Sequence, residues 1–336
     1  MRVFPITKKI FSFLFTKLSG LKVSLPSNER ERVTYLIERC KNYDNDPEMD
    51  LKCYIKMNGV ILITIWFSNQ DYNSSCDIFA LENIVREYEK DKSVADFFPM
   101  GIDYESSLQM LIRNYVERHE YPTSIIENML EKYKDILGDN EDVAYEDEHL
   151  NYEFMKGDFS NLDSRTHIIL NSPKGKFNDC YACIINRLVR INIIKNDFEK
   201  ANELINIIFN KKHTCDKIPK RTYIQKLLVD YKREGKSNVA EKKAFKNLDK
   251  NKSEIWEAAF LLQYCFLTKN GQFGNHILNQ FKEIISECQL PEKVAYCAAA
   301  FKLTNDEKYY HMGIELADKL DTRNNNTFYR EMFSAS

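Results

Sequence analysis

The chain has 336 residues, of which 43% are hydrophobic and 29% charged, and its formal net charge is −2. These values exclude a disordered or fibrous chain, and the length suffices to bury one large core or two ordinary ones. Only 10 Gly and 8 Pro are present, so an all-β fold built on many tight turns is disfavoured and long helices with short connections are favoured.

Residues 1–28 form a basic amphipathic segment. They contain five basic residues and no acidic one, interleaved with phenylalanine, isoleucine and leucine. The apolar run is interrupted by Lys17 and is too short to span a bilayer. Such a segment is typical either of a helix docked on its own domain or touching a membrane surface, or of a transit peptide. We therefore expect a cytoplasmic protein without a transmembrane segment, with a mitochondrial location as the alternative.

Residues 29–138 predict a small α/β domain that combines several helices with a β-hairpin. Apolar residues recur at helical spacing in most of this region, and capping residues mark where helices begin and end. The predicted helices begin and end near Asn28 and Lys41, Ile78 and Lys90, Tyr104 and Arg118, and Ser124 and Gly138.

The hairpin is predicted between the first two of these helices. Leu51–Met57 alternates apolar and polar residues, and Val60–Phe67 is a nearly continuous β-branched and aromatic run. The Asn58 and Gly59 pair between them suits a type I′ turn. Because the second run has few polar positions, we expect that strand to be covered on both faces.

An acidic stretch follows and marks a predicted linker at 139–176. Between Glu127 and Asp163, 12 Asp and Glu residues stand against 3 Lys. Like charges at this density resist burial, so the segment is interpreted as a solvated linker between two domains. A docking strip for a basic partner is the alternative.

Nine cysteines, an odd number at irregular spacing, do not form the pattern of a disulfide framework and indicate a reducing compartment. Cys180 and Cys183 form a CxxC motif, and His213 and Cys215 follow one predicted hairpin later. Three thiolates and an imidazole are a ligand set that tetrahedral Zn²⁺ accepts. Because both members of the CxxC lie in an apolar helical stretch, core cysteines are the favoured interpretation, and no metal or cofactor is expected.

Four short breaks punctuate residues 177–336 at nearly even spacing, centred on Asn196, Gly235, Gly271 and Asn305. Apolar residues at helical spacing flank each break. One helix-turn-helix unit fits each interval, and such units bury their apolar faces mainly against their neighbours. The region therefore predicts four stacked helical hairpins, with an ordinary helical bundle as the alternative.

Two segments of this region, IIKNDFEKANELINII and YKREGKSNVAEKKAFKNL, place a small residue five positions after the centre of the break, at Ala201 and Ala240. They resemble the turn and second helix of tetratricopeptide and pentatricopeptide repeats. The resemblance is confined to the C-terminal half and implies a mainly α fold, a hairpin-repeat solenoid beside the α/β domain. In those families the alanine lets the two helices of a hairpin approach closely. Hairpins three and four carry His276 and Tyr310 there, which departs from the pattern.

The resemblance implies binding rather than catalysis. Stacked hairpins of these families form a groove that takes peptides, proteins or, in the pentatricopeptide branch, single-stranded RNA. The favoured function is therefore a non-enzymatic adaptor or regulator that binds a protein or peptide. An RNA-binding factor is the alternative.

A basic strip at residues 211–252 indicates an acidic partner, because it carries 14 Lys and Arg against 5 acids. Tyr223 and Tyr231 lie between these charges, but their helical spacing favours a place in the core over base stacking. The residues expected to contact the partner are Lys220, Arg221, Lys226, Lys232, Arg233, Lys242, Lys243 and Lys246.

The sequence contains no GxGxxG, GxxxxGK[ST], GxSxG or HExxH motif. Glu120 beside His119 and Glu148 beside His149 could orient an imidazole for acid–base chemistry. Adjacent residues diverge on a helix, however, so surface pairs are the favoured interpretation. An enzyme whose site is assembled from distant residues remains the second alternative.

Overall fold

A computed structural model describes residues 28–47, 49–67, 75–99, 101–138, 142–237, 241–249 and 254–335. Within these ranges the chain is mainly α-helical, with two short 3₁₀ turns and no β-strand. No helix there combines the length and apolarity that crossing a bilayer requires. The basic segment predicted at 1–28 lies outside the described ranges, except for Asn28.

The chain divides into two compact units. The first comprises Met1–Asn114 and Asn128–Gly138, and the second comprises Tyr115–Glu127 and Asp139–Ser336. Each unit therefore draws on two separate stretches of sequence.

Three helices of the first unit, α1, α2 and α3, pack against one another in pairs. The predicted first helix is confirmed, and the Asn28 side chain caps it by accepting a hydrogen bond from the Arg30 amide at 2.9 Å. The helices up to Gly138 are α1 (Glu29–Lys41), α2 (Leu51–Phe67), α3 (Ser75–Lys90), α4 (Tyr104–Val116) and α5 (Thr123–Leu137), and the 3₁₀ turns are Tyr43–Asn45 and Lys92–Phe97.

The predicted β-hairpin is wrong, because Leu51–Phe67 is the single helix α2. Asn58, which the sequence places in a turn, is fully buried on this helix. Its side-chain amide donates a hydrogen bond to the Tyr54 carbonyl oxygen at 2.9 Å and accepts one from the Asn83 amide at 2.9 Å. The two asparagine side chains therefore satisfy each other between α2 and α3.

Gly59 serves a close helix contact instead of a turn. A Cβ atom at this position would overlap the ring of Pro99, so the missing side chain lets α2 approach that proline. The strand was predicted from a continuous apolar run, which periodicity alone cannot assign to a strand or to a buried helix. The small α/β domain is therefore replaced by an all-helical arrangement within the described residues.

The second unit contains a longer series of helices. They are α6 (Asp142–Lys156), α7 (Leu162–Asn171), α8 (Tyr181–Ile194), α9 (Phe198–Asn210), α10 (Lys220–Glu234), α11 (Glu241–Lys246), α12 (Ile255–Leu267), α13 (Gly271–Glu287), α14 (Glu292–Thr304), α15 (Glu307–Asn324) and α16 (Phe328–Ala335).

Helices from α8 onward pack in neighbouring pairs. The pairs α8 and α9, α10 and α11, α12 and α13, and α14 and α15 each form a hairpin. The first helix of each hairpin also contacts the first helix of the next, from α8 through α10 and α12 to α14, and α16 packs on α14 and α15. This arrangement is compatible with helical repeats.

The backbone turns at the predicted breaks use left-handed residues. Asn196 (φ 61°), Gly235 (φ 70°) and Asn305 (φ 56°) adopt this conformation at three of the four breaks. At the remaining break the left-handed residue is Lys269 (φ 57°), and Gly271 is the first residue of α13. Asparagine and glycine tolerate this conformation better than other residues, which is why they signalled the breaks in the sequence.

Small residues allow close helix contacts in the hairpin series, although not always where the resemblance placed them. Ala201 of α9 is fully buried, whereas Ala240 lies outside the described residues. Gly274 of α13 makes its close contact with the next hairpin, because a Cβ atom there would overlap Leu303 of α14. Within hairpin three, the same Cβ atom would lie at an ordinary 3.5 Å from Cβ of Cys265. In hairpin four a Cβ atom at Gly313 would lie 2.8 Å from Cβ of Cys297, so the two helices of that hairpin approach closely despite Tyr310.

Most of the acidic segment predicted as a linker at 139–176 is helical. α6 packs on α7, and arginines neutralise acids on the buried side of α6. Arg165 pairs with Glu153 at 2.7 Å, and Arg187 of α8 pairs with Asp147 at 2.6 Å. The Asp147 side chain is only 3% exposed. The dense charge is thus compatible with a folded segment because its counter-ions come from later helices.

The C-terminal helices bond to backbone carbonyl groups from much earlier in the chain. The Arg323 guanidinium donates hydrogen bonds to the carbonyl oxygens of Val116 and Arg118, each at 2.8 Å. The Tyr329 hydroxyl donates to the Met155 carbonyl oxygen at 2.9 Å. These bonds satisfy acceptors that the ends of α4 and α6 leave without an intrahelical donor.

Candidate partner surface and thiol cluster

Three of the eight basic residues expected at the partner surface are engaged by carboxylates of the same chain. Lys226 pairs with Asp230 along α10, and the other two pairs join α10 to neighbouring segments. The pairs are Arg221 with Glu254, Lys226 with Asp230, and Arg233 with Glu199, each at 2.8 Å. The charge of these three residues is therefore already balanced within the fold, and they contribute less to a binding surface than unpaired cations would.

The other five basic residues are exposed lysines, and we call them the lysine group. Across the described part of the chain, no ion pair joins any of them to a carboxylate. They are Lys220 and Lys232 on α10 and Lys242, Lys243 and Lys246 on α11.

Lys302 of α14 adds a cation that the sequence did not place near this strip. Burial of part of its side chain, followed by repulsion from Lys302, lowers the pKa of Lys232. The two ammonium groups are therefore close enough to interact, although they are far apart in sequence. Only the packing of α10, α12 and α14 side by side reveals this pairing.

Tyr223 and Tyr231 are half-buried and pack against other rings. The Tyr223 ring lies 5.0 Å from that of Phe209, and Nζ of Lys243 lies 3.6 Å from its centroid. The Tyr231 ring meets that of Tyr264 edge-on at 5.4 Å. Both tyrosines thus contact rings of neighbouring helices, but they are half-buried rather than the core residues that their spacing predicted.

A thiol cluster lies where α8 begins. The sulfur atoms of Cys180 and Cys183 are 3.0 Å apart, and those of Cys183 and Cys215 are 3.4 Å apart. All three sulfurs lie within 4.8 Å of one another. The three residues are half-buried rather than core cysteines, in contrast to Cys265 or Cys297. The interpretation of Cys180 and Cys183 as core residues is therefore wrong.

Backbone geometry aims amide groups at two of the sulfurs. Cys180 is the N-cap of α8, and its sulfur accepts a hydrogen bond from the Cys183 amide at 3.3 Å. At Cys215 the amides of Lys217 and Ile218 donate to the sulfur, in a turn closed by the Cys215 amide bonding the Ile218 carbonyl oxygen at 3.0 Å. Such donors stabilise a thiolate.

The electrostatics of the cluster differ from one sulfur to the next. Burial raises the pKa of Cys183, and the neighbouring thiols add to the shift. Burial also tends to raise the pKa of Cys215, but hydrogen bonds from the Lys217 and Ile218 amides and from the other thiols outweigh it and lower the pKa. The pKa values of Cys183 and Cys215 are therefore shifted in opposite directions.

His213 lies beside this cluster. Its ring meets the Tyr181 ring edge-on at 4.9 Å, and its Nε2 atom is buried without a hydrogen-bond partner. Burial and then the charge of Lys211 lower the pKa of His213, so the imidazole is neutral at neutral pH. The group of ligand atoms within 4.8 Å of one another nevertheless contains the three sulfurs alone.

The two histidines considered for acid–base chemistry each lie near a carboxylate. Nδ1 of His119 is 3.5 Å from Glu120, as the sequence suggested. Nδ1 of His149 is 3.4 Å from Glu153, one helical turn away, rather than from the adjacent Glu148. Neither histidine joins the thiol cluster, which is the one group of three or more metal-ligating side chains in the described residues.

Comparison with family models, curated proteins and solved structures gives no match for this chain. The likeness to tetratricopeptide and pentatricopeptide repeats is therefore supported by the pairing of helices alone.

Proposed function

We propose that this protein acts by binding, without catalysis, and that its ligand is an acidic segment of a protein or peptide. The observation that carries the proposal is the lysine group, five exposed cations with no carboxylate partner in the described part of the chain. A cation that its own fold leaves unpaired retains its attraction for a negatively charged partner.

The expected association is weak and sensitive to salt. Exposed ion pairs contribute about 0.2–1 kcal/mol each, so five of them supply at most a few kcal/mol. Salt screens such pairs, with a Debye length of about 8 Å at physiological ionic strength. This suits an adaptor or regulator that releases its partner readily.

Single-stranded RNA is the less favoured ligand, because the aromatic side chains near the lysine group are already engaged. Base stacking needs an exposed ring face. The Tyr223 ring is in contact with Phe209 and Lys243, and the Tyr231 ring packs on Tyr264.

The test uses two charge-reversal variants of the full chain that change net charge equally. Lys220, Lys242 and Lys246 are changed to Glu in the first, and the exposed Lys174, Lys282 and Lys308 in the second. The probes are a labelled poly-glutamate peptide and a labelled poly-uridine oligonucleotide, titrated by fluorescence anisotropy at several salt concentrations.

We expect the wild type to bind poly-glutamate with an affinity that falls as salt rises. The first variant should lose at least tenfold in affinity, while the second keeps wild-type affinity. Equal losses in the two variants would show that net charge alone acts, and this would contradict the proposal. Preference for poly-uridine would replace the peptide ligand by RNA, and binding of neither probe at low salt would overturn both functions.

A further inference from the structure

The thiol cluster brings together three sulfurs from two places in the chain. We propose that Cys180, Cys183 and Cys215 bind one Zn²⁺ ion as thiolates, and that the His213 imidazole supplies the fourth ligand. This site is independent of the proposed partner surface. Three thiolates with one imidazole form one of the ligand sets of structural zinc sites.

The distances between the sulfurs suit a single ion. Zn–S bonds are about 2.3 Å long, so two sulfurs on one tetrahedral Zn²⁺ lie roughly 3.8 Å apart. The observed separations of 3.0 and 3.4 Å fall a little below that value. Small side-chain rotations would open the cluster to this spacing, without movement of the helices that carry it.

The arrangement fits a metal better than a disulfide. A disulfide between Cys180 and Cys183 would bring two sulfurs to about 2.05 Å and leave the third thiol unused. Cys215 comes from a loop 32 residues beyond Cys183, yet its sulfur lies as near to Cys183 as a shared ligand would. Metal coordination uses all three sulfurs.

The surroundings match a site that carries negative charge. Three thiolates on Zn²⁺ and a neutral imidazole leave one net negative charge. The backbone amides of Cys183, Lys217 and Ile218 donate to the sulfurs, and such donors orient ligands and stabilise thiolates.

His213 is the histidine that the chain places next to the cluster. It precedes Cys215 by two residues on the same loop. Its Nε2 atom is buried and has no hydrogen-bond partner. Coordination would satisfy that atom. The remaining described histidines belong to other parts of the fold.

Binding would tie the start of α8 to the loop between α9 and α10. The ion would thereby clamp the first hairpin of the series at its open end. When Zn²⁺ binds, any of the three thiols that is still protonated releases its proton to the buffer.

The experiment measures zinc in the full chain, purified under reducing conditions. We expect one Zn²⁺ per chain by mass spectrometry of the metal. Co²⁺ in its place should give the intense visible bands of tetrahedral coordination and a sulfur-to-cobalt charge-transfer band in the near ultraviolet. The variants Cys180→Ser, Cys183→Ser and Cys215→Ser should lose these signals, whereas Cys53→Ser and Cys76→Ser, half-buried cysteines outside the cluster, should retain them.

His213 is tested against His276 of α13, a second histidine in the helical series. His213→Ala should weaken Zn²⁺ binding at least tenfold and shift the Co²⁺ bands, while His276→Ala leaves both unchanged. Equal spectra and affinity in the two variants would contradict the assignment of the fourth ligand.

A further measurement uses the wild-type chain, so its result does not depend on whether the variants fold. Added Zn²⁺ should protect Cys180, Cys183 and Cys215 from alkylation, as located by peptide mass spectrometry, and leave Cys53 and Cys76 reactive. Uniform alkylation with and without Zn²⁺ would overturn the proposal. A disulfide between Cys180 and Cys183 in freshly purified protein that takes up no Zn²⁺ would replace the metal site by a redox pair.

Discussion

Glu292, near the start of α14, is a carboxyl group whose burial decides its charge. Its side chain is buried on a helix that packs against α12, α13, α15 and α16. Burial raises the pKa of Glu292 to about 8, repulsion from Glu117 adds to the shift, and attraction to Arg190 opposes it. The folded protein therefore retains a proton on this group at neutral pH.

This proton predicts how stability depends on pH. An unfolded glutamate has a pKa of about 4.3, so from there to about pH 8 the unfolded chain releases a proton that the folded chain retains. The contribution of Glu292 is thus fully present below about pH 4 and is lost as the pH rises through 8. We expect Glu292→Gln to match the wild type near pH 4 and to exceed its stability above pH 8, as measured by urea unfolding along a pH series.

The matched control is Glu283→Gln, which alters an exposed carboxyl group on α13. Its stability should follow the wild-type curve at every pH. If Glu292→Gln also followed that curve, the carboxyl group would not carry the buried proton.

At the scale of elements, helix contacts in the C-terminal half depend on positions without a side chain. Gly313 of α15 faces Cys297 of α14, and Phe333 of α16 covers the same point. Gly271 begins α13 with no heavy atom within 4 Å of where its Cβ would lie. A side chain added at Gly313 would therefore collide with neighbouring helices, whereas one added at Gly271 would meet no other atom.

We expect Gly313→Ala to destabilise the protein by about 1–3 kcal/mol, the usual cost of overpacking a close contact. Gly271→Ala should be neutral or stabilising by about 0.4–1 kcal/mol, because the unfolded chain loses freedom and nothing clashes. Chemical unfolding of both variants measures the difference. Equal stabilities would show that α14 and α15 are not in close contact at this point.

Single helices could be predicted from sequence far better than their contacts. α1, α3 and α4 lie close to where apolar periodicity placed them. α2 was mistaken for a hairpin because Asn58 and Gly59 also suit a buried helix crossing, and that use depends on Asn83 and Pro99 elsewhere in the chain. Likewise, Gly274 and Gly313 act through residues of other helices, so no local pattern identifies them.

At the scale of the whole molecule, the candidate sites depend on which helices lie side by side. The lysines of α10 and α11 could be named from composition, but the loss of Arg221, Lys226 and Arg233 to ion pairs required the fold. The four residues of the proposed zinc site could also be named from their spacing. Only the closing of α8 on α9 brings the loop that carries Cys215 to Cys183.

If the proposed site binds Zn²⁺, removal of the metal should lower the stability of the second unit. A stabilisation of about 2 kcal/mol corresponds to a melting temperature roughly 4–8 °C higher in a unit of this size. We expect a chelator in reducing buffer to lower the melting temperature of the wild type in differential scanning calorimetry. The Cys180→Ser variant should start at the lower temperature and show no response, and an equal response in both proteins would mean that the chelator acts elsewhere.

The bonds from Arg323 and Tyr329 to the backbone near Val116 and Met155 bear on the order of events during synthesis. These pairs are separated by 207 and 174 residues along the chain. Until α15 and α16 have been synthesised, the carbonyl groups at the ends of α4 and α6 have no such donors. The second unit therefore acquires these hydrogen bonds only after every hairpin of the series has been made.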